Sequence, residues 1–114
     1  KIRTEIEDES GLGEAYNNIG GVYKDYGSYK LEIGKKNEAN QFWNIALNYF
    51  KKAEEKFDST NSKKGLLEVY NGYGDVYRRK KDFGEAKNYT QKMLDLVKGI
   101  EDNPFEHTLN SWGY

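Results

Sequence analysis

Tyr16-Asn17-Asn18-Ile19-Gly20-Gly21-Val22-Tyr23 decides the reading of this chain, because the stretch comes back. It returns as Tyr70-Asn71-Gly72-Tyr73-Gly74-Asp75-Val76-Tyr77 and begins again at Leu109-Asn110-Ser111-Trp112-Gly113. An octet that recurs in register points to a repeat before any local feature is weighed. Tyr16 and Tyr70 lie 54 positions apart, Tyr70 and Leu109 39, and Ala46 and Ala86 40.

Around the octet the apolar residues keep helical spacing. Leu12, Ala15, Tyr16, Ile19, Val22, Tyr23 and Tyr26 fit a 3.6-residue period, and Tyr29 and Ile33 continue it past Gly27. The spacing predicts a helix from about Leu12 to Ile33, a turn over Gly34-Lys35-Lys36-Asn37, and Asn37 as the next N-cap. Gly20 and Gly21 sit inside that helix, where each glycine costs about 1 kcal/mol against alanine. Such a cost points to close helix contact or close approach of a ligand.

A second helix carries Phe42, Ile45, Ala46, Tyr49, Phe50, Ala53 and Phe57, with Trp43 and Leu47 widening the stripe. Asp58 to Ser62 is a polar connection rich in cap formers. A third helix, from about Lys64, turns Leu66, Val69, Tyr70, Tyr73, Val76 and Tyr77 inward. Arg78-Arg79-Lys80-Lys81-Asp82 ends it, with cations placed to suit a helix C-terminus. A fourth carries Phe83, Ala86, Tyr89, Met93, Val97 and Ile100, and Pro104 opens a fifth.

Before Leu12, Lys1 to Glu7 reads as the last turns of a helix and Asp8-Glu9-Ser10-Gly11 as a connection. The resulting division is residues 1–10, the end of a preceding helix; 11–61, a first helix pair; 62–103, a second; and 104–114, the start of a further one. The expectation is that both ends fall inside elements and that the chain is part of something longer. Tyr23 to Ala46 spans 23 positions and Tyr77 to Ala86 only 9, so the first pair holds 14 extra residues. Divided over two helices they add about two turns to each. This predicts an elongated first hairpin whose tip carries Tyr26, Tyr29, Phe42 and Trp43, in preference to a loop from Gly27 to Asn40.

These residues resemble the tetratricopeptide repeat family, whose signature is W-x2-L-G-x2-Y followed by A-x3-F. Tyr16, Ile19, Gly20, Tyr23, Ala46 and Phe50 match it, with Tyr for Trp and Ile for Leu; Tyr70, Tyr73, Gly74, Tyr77 and Ala86 match it again. Thr90 and Met93 depart from it, and the closing proline is missing. The 39- to 40-residue step looks like that of the longer repeats in bacterial signalling regulators and Pins-type adaptors. The resemblance implies an all-α fold of antiparallel helix hairpins stacked as an α-solenoid. It further implies a concave groove, lined by the first helix of each pair, that takes a peptide or protein segment, in the regulatory part of a larger signalling protein.

On those first helices the residues turned away from the partner helix recur in register. Glu14, Asn17, Gly21, Lys24 and Asp25 correspond to Glu68, Asn71, Asp75, Arg78 and Arg79, and Asn110 continues the asparagine column. An amide both donates and accepts, so such a column suits the backbone of an extended peptide. Lys24 and Arg78 would take carboxylates. Asn17, Lys24, Asn71, Asp75, Arg78 and Asn110 are therefore the candidate peptide-binding residues.

Composition bounds the alternatives. A net charge of -1 gives no global field for nucleic acid or an anionic membrane. Four basic residues at Arg78–Lys81 are read as a solvated turn. No apolar run nears the roughly 18 residues of a membrane span. With no cysteine and one histidine, His107, there is no disulfide and no expected metal or cofactor. No nucleophile–base set or phosphate loop is visible, so no enzyme is expected. The compartment is left open by the absence of cysteine; cytoplasmic is the expectation. The second functional reading is a scaffold that forms a homodimer through uncapped repeat ends and the long hairpin.

Overall fold

A computed structural model describes residues 2–101, with side chains from 8 to 100. Among the described residues there are four helices and no strand: α1 (Ile2–Glu32), α2 (Lys36–Ser59), α3 (Lys63–Arg79) and α4 (Phe83–Glu101). The fifth predicted helix and Asn110 lie outside them.

The three connections have one construction. Gly34, Asn61 and Lys81 take positive φ values of 82°, 57° and 63°. The next residue's N–H then reaches back across the helix end: Lys35 to Lys30 O at 2.9 Å, Ser62 to Phe57 O at 2.8 Å, Asp82 to Tyr77 O at 2.8 Å. This closes each helix by the left-handed C-terminal motif that satisfies its last carbonyls. The same residue starts the next helix. Ser62 Oγ accepts from the Gly65 N–H and Asp82 Oδ1 from the Glu85 N–H. The first turn departs from expectation: Lys35, not Asn37, is the N-cap, and its side chain makes no cap bond.

Short turns make neighbouring helices antiparallel, and the packing shows the register. Phe57, Phe50 and Trp43 of α2 lie against Gly13, Gly20 and Gly27 of α1, one number falling by seven as the other rises by seven. On the other side Phe57 and Phe50 meet Gly65 and Gly72 of α3. Each of these two rings is thus held between two glycines, which let the backbones close on it without a Cβ. α2 is the centre of the molecule. Its stripe Ala39, Trp43, Ala46, Phe50, Ala53 and Phe57 is buried, and Leu66, Val69, Tyr73 and Val76 of α3 complete the cluster.

The 14 extra residues are helical, not a loop: α1 has 31 residues and α2 24, against 17 and 19 in α3 and α4. Trp43 does not stand on a protruding tip. It is buried, and its indole Nε1 donates to Lys24 O at 3.2 Å. α1 also runs unbroken through Asp8–Gly11, where the sequence suggests a connection. The apolar stripe read as the inner face of α1 largely faces out: Leu12, Ile19, Val22 and Tyr26 are exposed, and the glycine row takes the contact with α2. On α4, Phe83 and Val97 are exposed, while Leu96, unmarked in the sequence reading, packs on the core.

Candidate functional site

A groove of about 470 Å³ runs between α1 and α3, floored by Phe50 and Gly72. α1 supplies Asn17, Asn18, Gly21, Val22, Lys24 and Asp25; α3 supplies Glu68 and Asn71. A smaller hollow, lined by Glu14, Ser62, Lys64 and Glu68, shares Glu68 with it. Glu14 to Lys24 covers ten residues of helix, about 15 Å at 1.5 Å per residue. That length matches about four or five residues of extended peptide at 3.3 Å each.

The candidates Asn17, Lys24 and Asn71 all line this groove. Asn17 Oδ1 is shut off from solvent and has no hydrogen-bond partner, the only such side-chain atom among the described residues. Asn71 is exposed. The two asparagines are brought to the groove by register, because α1 and α3 present equivalent turns to the same side. Gly21 lies beside them, and a Cβ there would meet nothing within 4 Å. Gly20 and Gly21 therefore answer to different causes: Gly20 to helix contact, Gly21 to open space.

Lys24, Asp75 and Arg78 are drawn into one another. Lys24 Nζ sits 2.9 Å from Asp75 Oδ2, tying α1 to α3. Arg78 and Arg79 reach the same carboxylate at 3.5 and 3.6 Å. Burial works to raise the Asp75 pKa, but the Lys24 hydrogen bond and the charges of Lys24, Arg79 and Arg78 outweigh it and hold the carboxyl below its ordinary value. The cluster meets the groove at Lys24, while Asp75, Arg78 and Arg79 stand beside it; Asp25 and Glu68 also line the groove, so its charged lining is one cation and two anions. Lys80 Nζ donates to Asn44 Oδ1 at 3.0 Å, so Arg78, Arg79 and Lys80 of the basic run all have side-chain partners within the fold.

One further arrangement escaped the sequence reading. Tyr16 and Tyr23 pack on Tyr49 with centroids 6.2 and 5.7 Å apart and interplanar angles of 38° and 6°. Tyr70 and Tyr77 pack on Tyr89 at 6.0 and 5.8 Å, with angles of 41° and 6°. Lys52 lies over the first cluster and Lys92 over the second. The signal was present as Tyr-x2-Lys in both second helices.

Among the described residues no cluster of His, Cys, Asp and Glu is placed to hold a metal ion, and no helix is long and apolar enough to cross a membrane. Comparison with protein-family models, curated proteins and solved structures gave no match.

Proposed function

We propose that this chain is a helical-repeat module of tetratricopeptide type that binds an extended peptide or protein segment in the α1–α3 groove. The carrying observation is the pairing of Asn17, whose Oδ1 lacks a partner, with Gly21, a glycine that packing does not require. A buried amide oxygen left unpaired costs about 1–3 kcal/mol, and a glycine inside a helix about 1 kcal/mol. Both costs fall on one stretch of groove wall. A turn of the Asn17 side chain would bring this oxygen to a peptide backbone N–H, and the peptide would use the space beside Gly21. Lys24, the cation that lines the groove, would pair with a ligand carboxylate in exchange for Asp75.

The repeat assignment is supported by the matching tyrosine–lysine clusters of the two hairpins and by the three turns of one construction. The regulatory setting in a larger signalling protein comes from the resemblance and is part of the proposal.

The test is selection from a displayed library of random peptides. Wild type is run beside Asn17→Ala/Asn71→Ala, first shown to keep its helicity and urea midpoint. Two lost hydrogen bonds at about 0.5–1.5 kcal/mol each predict binding weaker by about fivefold or more. Peptides held equally by both proteins, or no enrichment over the naked support, would refute the groove as a peptide site.

A further inference from the structure

The two outer faces of the molecule fit each other. α3 covers Leu66, Val69, Tyr73 and Val76 by packing them into the cluster built on α2. The residues 54 positions earlier, Leu12, Ala15, Ile19 and Val22, form the same row on α1, with no described helix over them. Leu12, Ile19 and Val22 are 43%, 38% and 67% exposed. The face of α2 that meets α3 includes Phe50, Glu54 and Phe57. Its counterpart 40 positions later is Thr90, Leu94 and Val97 on α4, and Leu94 and Val97 are 54% and 37% exposed. Among the described residues, α1 and α4 thus carry the two halves of the chain's own internal interface, each without its mate.

The residues exchanged between the two versions compensate one another. Inside the chain, Tyr73 donates its hydroxyl hydrogen to Glu54 Oε1 at 2.9 Å. At the ends that polar pair becomes Ile19 and Leu94, apolar on both sides. Phe50 lies against Gly72. At the ends the glycine becomes Asn18 and the ring becomes Thr90, so one side grows where the other shrinks. Phe57 lies against Gly65, and the matching pair is Val97 with Gly11, a helix glycine with nothing within 4 Å of its Cβ position.

We infer that copies of this chain associate head to tail, the α4 face of one covering the α1 seam of the next as α2 covers α3 within each. This does not depend on peptide binding, although Asn18 and Val22 border both surfaces. Such an interface is heterologous, and it propagates unless rotation closes a ring. Its matched positions are fewer than the roughly 20–30 residues a side of a standard interface, so association is weak and concentration-dependent.

Light scattering with sedimentation velocity, from about 10 µM to about 1 mM, tests it with three proteins: wild type, Ile19→Lys and Leu94→Glu. Both variants alter exposed side chains; Leu12→Lys stands in if Ile19→Lys loses helicity. Wild type should grow past one copy as concentration rises, and each variant alone should stay at one. An equal mixture of the two should reach two copies and stop, because the intact α4 of the first fits the intact α1 of the second. Leu94→Glu associating like wild type would mean that α1 pairs with α1, and would overturn the inference. Wild type staying at one copy throughout, or a mixture that fails to pair, would overturn it as well.

Discussion

Adjacent glycines of α1 should respond to alanine in opposite directions. At Gly20 a Cβ would lie 2.7 and 2.8 Å from Phe50 Cε1 and Cδ1, and 3.2 Å from Ala46 O. The ring cannot swing away, because a Cβ position at Gly72 is already 2.8 Å from its Cζ on the other side and Phe50 is buried. Overpacking of this kind costs about 1–3 kcal/mol. Replacing glycine in a helix returns about 1 kcal/mol at both sites. Gly21→Ala, with open space, should therefore be stabilised by about 1 kcal/mol. Gly20→Ala should come out near neutral to about 2 kcal/mol less stable than wild type once both effects are counted.

The difference between the two variants cancels the helix-propensity gain and reads the packing cost alone. With a urea slope of about 1–3 kcal/mol/M, the midpoints should separate by about 0.3 to 3 M, with Gly21→Ala the higher. Adding Phe50→Leu to Gly20→Ala should cost less than Phe50→Leu does in wild type, a coupling that a double-mutant cycle measures. Equal midpoints, or Gly20→Ala above Gly21→Ala, would refute the account of Phe50 as a ring held between two glycines.

Removing the Tyr73 ring by Tyr73→Ala should cost about 3–5 kcal/mol in chemical unfolding; Tyr73→Phe, which strips only the bond to Glu54, should cost about 1–3. Burial, with nearby carboxylates, raises Tyr70, Tyr73, Tyr77 and Tyr89, the last to about 12. The folded chain then keeps protons that the unfolded chain releases near pH 10, so stability is full below that pH and falls as pH rises toward 12. An absorbance titration should show these four ionising late and together with loss of helix. Asp75 has the opposite sign: its ionised form stabilises above its ordinary value of 3.8, and that stability is lost as pH falls through the depressed folded value. The gap in urea midpoint between wild type and Asp75→Asn should hold from neutral pH to about 4 and close below it. α2 supplies half of the buried apolar core, so its amides should exchange slowest and those of α4 sooner, as followed by hydrogen exchange.

The sequence made α2 and α3 legible because their large apolar residues face the core at helical spacing, and α4 legible by the same spacing although Phe83 and Val97 are exposed; the turns before α3 and α4 carry cap formers at Ser62 and Asp82. It made the extra 14 residues legible as helix through the continuous run Tyr26, Tyr29 and Ile33. α1 departs from the sequence reading at two points: its acidic stretch is helix, and the helix contact expected at Gly20 or Gly21 belongs to a longer glycine row. Asp8-Glu9-Ser10-Gly11 has the composition of a connection, yet nothing there prevents an exposed helix from continuing. Gly13, Gly20 and Gly27, seven apart, are the contact row of α1, and the seven-residue row Trp43, Phe50 and Phe57 on α2 is its partner. Reading the two rows together would have shown that the bulky residues of α1 point elsewhere. The asparagines of the groove were legible through register alone. That Lys24 and Asp75 would bond was not, because it depends on the distance between α1 and α3, which Phe50 and its two glycines determine.

α1 is thereby divided lengthwise into rows with different duties. Gly13, Gly20 and Gly27 meet α2. Asn17, Gly21 and Lys24 look into the groove. Leu12, Ile19 and Tyr26 stand out to solvent. A helix that spends glycine on its main contact has its large apolar residues left over, and on α3 the equivalent residues are buried because a further helix, α2, lies over them. The exposed seam of α1 is thus the consequence of a packing rule that α3 satisfies and α1 by itself does not. Asn17 and Ile19, two residues apart in sequence, lie on nearly opposite faces of α1 at 3.6 residues per turn, so Asn17→Ala and Ile19→Lys act on different surfaces. The first should weaken peptide binding and leave the mass of the assembly alone; the second should do the reverse. A single variant that abolished both would mean that the groove is formed only within the assembly, and the two proposals would then stand or fall as one.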